Sequence, residues 1–416
     1  MSESTKSGIT VAIIGGGIGG ICAAIALGRS GYDVHIFEQA SKFSEIGAGV
    51  GFGANALHAL HLLGLGDDYE QIADVSPAGD PWFSFLSGKD CEPISEVLNP
   101  APRGSVHRAR FLECLLARLP PTVSTHFSSR VISVENISSR DDQAPHVRLT
   151  TVHPDSSNSI QFKADIALGC DGVKSMVRDS FQQEMGACVR YTGTYAYRGL
   201  MNLEKAASEA GDFHIVMFPI EHGKILNIVA FVSDRTRPPE ERVWEGPWVK
   251  PVTRQEMFDD YAEWDPRVHA ILSLVDKPEK WALHDLLPLE RWTVGRVTLL
   301  GDSAHASLPH NGAGAGQAIE DVYVLSKLLG HPSCAADNIP AFLQAYEHVR
   351  RPRASRQQIH SRESGDIYEF ASPMGDDYAK IDEHLQRRYD WLWNHDLDSD
   401  VEEALTFLRD RGVLAK

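Results

Sequence analysis

The sequence predicts an α/β fold in which a parallel-sheet domain is interrupted by a smaller domain with an antiparallel sheet and is followed by C-terminal helices. Three observations predict it. Residues 9–38 read as strand, glycine-rich turn, helix and strand. From about Tyr191 to Ser233 the pattern changes to extended apolar runs separated by turn signals. At Val294 to Leu300 a short buried strand returns, and helical patterns follow it. Strands alternating with helices build a parallel sheet, whereas consecutive strands joined by turns pair antiparallel. The 416 residues, 43% hydrophobic and 23% charged, suffice for two or three domains around a sizeable core.

Taken in order, Ile9 to Ile14 is a continuous apolar run suited to a strand buried on both faces. Ile18 to Arg29 carries small and apolar residues at helical spacing, and Gly31 is placed to end that helix in a left-handed conformation. Val34 to Phe37 then resumes an extended pattern that closes on Glu38. Helices are expected at Ala54 to Leu63 and at Arg108 to Leu119, where Phe111, Leu112, Leu115, Leu116 and Leu119 share one face. Strands are expected at 130–135, 147–152 and 165–170, with loops at 138–145 and 156–159. The runs FHIVMFP and ILNIVAFV flank EHGK, a hairpin turn that puts His222 in solvent. A long connection from Arg235 to Pro251 leads to an amphipathic helical pattern over Thr253 to Leu274. Gly312 to Leu329 and Ile339 to Ser361 read as helices. The resulting division assigns 1–80, 105–185 and 285–365 to the discontinuous parallel-sheet domain, 81–104 and 186–284 to the smaller domain, and 366–416 to a C-terminal helical segment.

The 57 acidic against 40 basic residues give a net charge of −17, which repels nucleic-acid backbones and anionic lipid. Neither is expected as a partner, and an anionic substrate would need positive charge supplied locally. The six cysteines (Cys22, Cys91, Cys114, Cys170, Cys188, Cys334) show no C-x-x-C pair and no zinc spacing, so buried free thiols and no metal site are expected. No run of about 18 apolar residues occurs. The polar start MSESTKSGIT and the end VLAK match no targeting signal, which makes the cytoplasm the expected location.

The first chemistry-bearing segment is Gly15-Gly16-Gly17-Ile18-Gly19-Gly20, a G-x-G-x-x-G between a strand and a helix. Gly15 permits the tight turn, Gly17 lets backbone approach a pyrophosphate, and Gly20 lets the helix pack on the strand. The helix N-terminus offers unpaired N–H groups to the anion. Glu38, 18 residues after Gly20, can accept the hydroxyls of an adenosine ribose. This unit alone leaves FAD and NAD both open.

Two further segments carry a resemblance. DIALGCDGVKSMVR (165–178) and VTLLGDSAHASLPHNGAGAG (297–316) resemble the Asp-Gly and Gly-Asp segments of the FAD-dependent aromatic-ring hydroxylases. The resemblance implies a Rossmann-like FAD-binding domain in which Asp302, ending a buried strand, takes the ribityl chain. Gly312, Gly314 and Ala315 then open a helix whose N–H groups can stabilise negative charge on the reduced flavin ring. It further implies that Asp171 lies near the pyrophosphate and the path of the nicotinamide, that Arg108 in VHRARFL reaches FAD, that Gly51 is a flavin contact, and that Pro309 lies beside the flavin ring. Arg110 points to a different face from Arg108.

Within the family, GTYAYRGL (193–200), WALHDL (281–286) and PHNGAGAGQAIEDVYVL (309–325) resemble the members that hydroxylate salicylate. The activity implied is oxidative decarboxylation to catechol through a flavin hydroperoxide, with NADH as reductant, NADPH as its alternative, and O2. Arg198 is the candidate anchor for the carboxylate or phenolate, since a guanidinium binds such oxygens bidentately. Related fungal enzymes pair an arginine there with a downstream tyrosine; this chain has Phe231 in that strand and no tyrosine. His310 is a candidate relay for the phenolic proton, whereas His305 is expected in a hydrogen-bonded core role. Non-decarboxylating hydroxylation of another hydroxybenzoate or of a polyketide-derived phenol is one alternative. A non-catalytic flavin-binding protein is another. The chain is expected to be a monomer or homodimer.

Overall fold

The computed structural model describes residues 8–44, 49–88, 90, 92–138, 144–156, 158–186, 188–202 and 216–415. Cys91, most of the 138–145 loop and the start of FHIVMFP lie outside the described residues.

Continuous apolar runs become the inner strands of a six-stranded sheet ordered Thr293–Val294, Val297–Leu299, Ile166–Gly169, Thr10–Ile14, Asp33–Phe37, Ser124–His126. All pairings are parallel except the hairpin between the first two strands. The expected crossover is present: Ile18–Arg29 is a helix, and Gly31 takes φ +85° just after its end. That helix and the helix Gly314–Gly330 pack in one core with Val11, Ile13, Ile166, Leu168 and Leu299, all fully buried. Each such side chain contributes roughly 1.5–3 kcal/mol of transfer free energy. A three-stranded antiparallel sheet (Arg130–Ile137, His146–Val152, Ser159–Ala164) adds Val131, Val134, Val147 and Leu149 to the same core.

The change of period near Tyr191 is a second, five-stranded antiparallel sheet. Its order is Val216–Ile220, Ile225–Ser233, Val189–Asn202, Glu279–Leu286, Val249–Pro251. The WALHDL segment, left without an element by its sequence pattern, is the strand beside the long central one. The expected single helix over 253–274 is two helices, Arg254–Asp260 and Pro266–Ser273. Asp265 caps the second through its side chain and Pro266 opens it, an arrangement that cannot continue the first helix. Both helices cover one face of the sheet, where Tyr197, Ile228 and Ala230 meet Met257, Tyr261 and Ile271.

A hairpin, Pro81–Leu86 with Pro93–Leu98, forms a sheet of its own. Phe85 and Val97 share a core with Tyr368, Ile381, Leu385, Tyr389 and Trp393 of the C-terminal segment. The end of the hairpin reaches the substrate sheet's helices, since Gly88 accepts from the Asp265 N–H at 3.2 Å. The final long helix, Ile339–Tyr368, runs two turns beyond the expected Ser361. Cys22 and Cys334 are buried, and burial pushes the Cys22 thiol up to about 12. Cys188 departs from expectation: it enters the central strand just after the left-handed Gly186, and it is exposed. Among the described residues no helix is long and apolar enough to cross a membrane.

Candidate active site

Strand register brings four of the sequence motifs together. Ile14 pairs with Phe37 on one side and Gly169 on the other, and Gly169 pairs with Leu299. The residues that leave these strands therefore emerge at one carboxyl edge, where open parallel sheets bind ligands: Gly15, Glu38, Asp171 and Asp302. Gly15 has φ +105°, and any Cβ there would overlap the Cys170 carbonyl. A Cβ on Gly20 would overlap the Gly15 carbonyl, so that glycine sets the approach of helix to turn. Gly17 is the extended N-cap of the Ile18–Arg29 helix. Glu38 accepts from the Gly16 N–H at 2.9 Å and the Ala40 N–H at 2.8 Å, which aims its carboxylate along the turn. Its remaining lone pairs stay available to ribose hydroxyls.

Around Asp302 the backbone is tied down on both sides. Gly301 takes φ +68°, and the Ser303 hydroxyl donates to the Gly169 carbonyl at 2.5 Å. The buried Arg178 donates to the Ser303 carbonyl (2.9 Å) and to the Val173 carbonyl (2.6 Å), joining the Asp-Gly segment to the Gly-Asp segment. The Asp302 side chain itself is exposed. A Cβ at Gly314 would lie 3.9 Å from its Oδ1 and 3.9 Å from Ser307 Oγ. Asp302 thus faces the N-terminus of the 17-residue Gly314–Gly330 helix, whose start also carries Ala315 and follows Gly312 at φ +62°. Asp171 accepts from the Val177 N–H at 3.0 Å, while its Oδ1 is buried without a hydrogen-bond partner. Burial raises its pKa. A glycine turn at a helix N-terminus with no room for side chains, an exposed carboxylate facing a second helix N-terminus, and a buried Asp171 oxygen free to accept from a hydroxyl fit FAD.

The second wall is the free face of the five-stranded sheet. Directly opposed residues share a face, so Ala196, Phe231 and Trp281 lie together, as do Arg198, Val229 and Glu279. This face meets the nucleotide domain, where the Gly49 N–H donates to Asn227 Oδ1 at 2.9 Å and the Ser105 hydroxyl to the Pro219 carbonyl at 2.7 Å. The Arg198 guanidinium lies 4.8 Å from the centre of the Trp281 ring. Burial, then the like charge of Arg108, push its pKa down to about 10 against the pull of Glu279. It stays cationic at neutral pH in a place that favours an arriving anion.

His310 is 4% exposed, with its ring 4.9 Å from that of Phe231 and 6.1 Å from that of Tyr368. A Cβ on Gly365 would come within 2.6 Å of His310 Nε2, so the ring rests directly on the backbone of the Ile339–Tyr368 helix. Pro309, one residue earlier, is exposed. Gly51 and Gly312 are far apart in sequence, yet a Cβ on either would sit within 4.0 Å of the Trp82 ring. Arg108 opens the helix Arg108–Leu116 and is close enough to Arg198 for its charge to register. Arg110 turns away, 3.6 Å from Glu113 and 3.7 Å from Glu221. His222 is exposed, and His305 is buried against Asp321 at 2.6 Å.

Sequence reasoning gave no role to Trp82, Arg178 or the acidic pair Glu320–Asp321. The pair did leave a signal, since two adjacent acids inside the apolar helical run AIEDVYVL cannot both point to solvent. Trp82 and Arg178 left none, because their positions follow from which loops meet.

Comparison with known proteins agrees with this geometry. A family described as FAD binding domain matches residues 8–359. Salicylate hydroxylase from Pseudomonas putida is 39% identical over 97% of this chain and 96% of its own length. A 6-methylsalicylate 1-monooxygenase from Aspergillus terreus is 34% identical over 97% of this chain and 93% of its own. A solved structure, a salicylate hydroxylase substrate complex, superposes with a TM-score of 0.84 at 36% identity, covering 96% of this chain and 98% of that one. With a family match over residues 8–359 and relatives aligned along nearly all of its length, the chain belongs to the FAD-dependent aromatic-ring monooxygenases.

Proposed function

We propose that this chain converts salicylate, NADH, O2 and two protons into catechol, carbon dioxide, NAD+ and water. The observation that carries the reading is Arg198, a half-buried guanidinium 4.8 Å from the Trp281 ring centre on the sheet face opposite the flavin segments, with its pKa lowered by desolvation and by Arg108. Such a site favours a small aromatic carboxylate over a neutral phenol, and the relatives named for salicylate and 6-methylsalicylate support that chemistry. Arg198 holds the carboxylate, and Trp281 and Phe231, on either side of Ala196 on the same sheet face, border the ring space beside it. His310 takes the phenolic proton, which makes the carboxylate-bearing carbon electron-rich. Pro309, whose carbonyl accepts from the Gly312 N–H at 3.0 Å, borders the same space. Gly15, Gly17, Gly20, Glu38, Asp171, Asp302, Gly312, Gly314 and Ala315 hold FAD, with Gly51 and Arg108 at its ring end. Bound FAD supplies the hydride acceptor and the activation of oxygen.

Purified protein given NADH, O2 and salicylate should form catechol and carbon dioxide in equal amounts, one of each per NADH consumed. NADH oxidation that yields only hydrogen peroxide and returns salicylate unchanged would overturn the substrate assignment. A parallel kcat/KM for 6-methylsalicylate tells the two named substrates apart.

A further inference from the structure

We infer that Asp321 is a positioning residue for the flavin site: its buried carboxylate grips both ends of the turn that carries Asp302 and locks that turn to the Gly314–Gly330 helix. The inference rests on the proposed contact between Asp302 and FAD.

Asp321 is fully buried, where an unpaired carboxylate would be costly. Both of its oxygens are used. Oδ2 accepts from the Gly301 N–H at 3.1 Å and is 2.6 Å from His305 Nε2. Oδ1 accepts from Arg350 Nε at 3.0 Å. Burial alone would raise the Asp321 pKa, but His305 and Arg350 outweigh it and hold the group below the ordinary carboxylate value. Gly301 and His305 are the two boundaries of the turn Asp302–His305, and the Gly301 carbonyl accepts from both the Ala304 and His305 N–H groups. One carboxylate oxygen therefore clamps the residue before Asp302 and the last residue of its turn. Only Asp302 projects outward between these grips. Asp321 sits two turns along the helix whose N-terminus faces Asp302, so the turn and the helix end cannot shift independently.

Glu320 supplies an internal control. It is equally buried and shares the Arg350 cation, at 2.8 Å, but its other partners are Arg353, Asn55 and, one turn earlier on the same helix, Gln317. No hydrogen bond links it to the 301–305 turn. A purely structural role predicts the same behaviour for the two acids. Positioning predicts different behaviour.

The test titrates FAD-stripped full-length protein with FAD, following the quenching of flavin fluorescence, alongside the thermal midpoint of each stripped variant. Asp321→Asn should weaken FAD binding about 10–100-fold, the loss expected when hydrogen bonds to a buried charge are removed. Glu320→Gln should lower the thermal midpoint comparably yet leave the FAD dissociation constant within about 3-fold of the parent, a change under 1 kcal/mol. If Asp321→Asn fails to fold, His305→Asn, which keeps the Asp321–Arg350 pair, should weaken FAD binding while holding the midpoint. Equal FAD affinities for the Asp321 and Glu320 variants, or an unaltered affinity in His305→Asn, would overturn the inference. Asp302→Ala is measured beside them. Unchanged FAD binding in that variant would sink the Asp302 contact itself, whereas weakened binding there with none in Asp321→Asn would sink only the positioning role.

Discussion

Arg198 shows how a single residue offsets a property of the whole chain. The protein carries a net charge of −17, yet the sheet face holds a half-buried guanidinium whose pKa is pushed down chiefly by desolvation and by Arg108. Arg198→Ala should raise the salicylate KM about 30–150-fold, the equivalent of about 2–3 kcal/mol for charge-assisted hydrogen bonds. Flavin content, read from visible absorbance, should persist. Arg198→Lys should recover only part of the loss, because an ammonium lacks the planar two-point geometry. Gly365 makes a second prediction. Alanine favours a helix over glycine by about 0.5–1 kcal/mol, so Gly365→Ala should not lower the thermal midpoint through the helix itself. Its Cβ would nevertheless press on His310 Nε2. The expected outcome is a raised KM and fewer catechol molecules formed per NADH at unchanged FAD affinity, measured by product analysis. Unaltered coupling would show that the imidazole has room to yield.

At the scale of elements, the first strand–turn–helix unit was legible because its constraints are local. The turn needs a residue tolerant of φ +105° with no side chain, and only glycine offers that at Gly15. Gly15→Ala should yield folded protein with little yellow colour and a lower thermal midpoint, as checked by the flavin-to-protein absorbance ratio. Full flavin occupancy would mean that the turn relaxes around a methyl group. The WALHDL strand was not legible. Its outward and inward residues mix charged, aromatic and apolar types because one face meets a helix layer and the other the proposed substrate site, which hides the period of two. The split of 253–274 at Asp265-Pro266 was written in the sequence, but the apolar pattern runs through the break since both helices cover the same sheet face.

Across the whole molecule, the C-terminal segment is bound into the flavin side by buried polar groups. Arg350 reaches Asp400 at 3.4 Å, and His360 lies between Asn311 (3.1 Å) and the Trp391 N–H (3.3 Å). Burial, then the charges of Arg388 and Arg356, lower the His360 pKa from 6.5 to about 3. The unfolded chain therefore binds a proton that the folded one refuses between these values. Its contribution to stability is complete above about pH 6.5 and is lost as pH falls toward about 3. Urea unfolding across that range should show stability declining with acid, and His360→Gln should flatten the decline. An unchanged slope would place the acid sensitivity elsewhere. Glu320, held near 2 by Arg353 and Arg350 although burial opposes this, adds a loss that begins only below about pH 4.5.

The sequence by itself determined the dinucleotide turn, the acid that follows the second strand and the parallel core. Each of these depends on residues within one turn or one strand of each other. It also held the cofactor segments in recognisable form. The tertiary structure alone decided that Gly51 and Gly312 meet at Trp82, that His310 rests on Gly365, and that Asp321 clamps the turn that carries Asp302. Those relations join positions from about 16 to 260 residues apart, and they arise from strand register and helix packing, which no local pattern of residue types encodes.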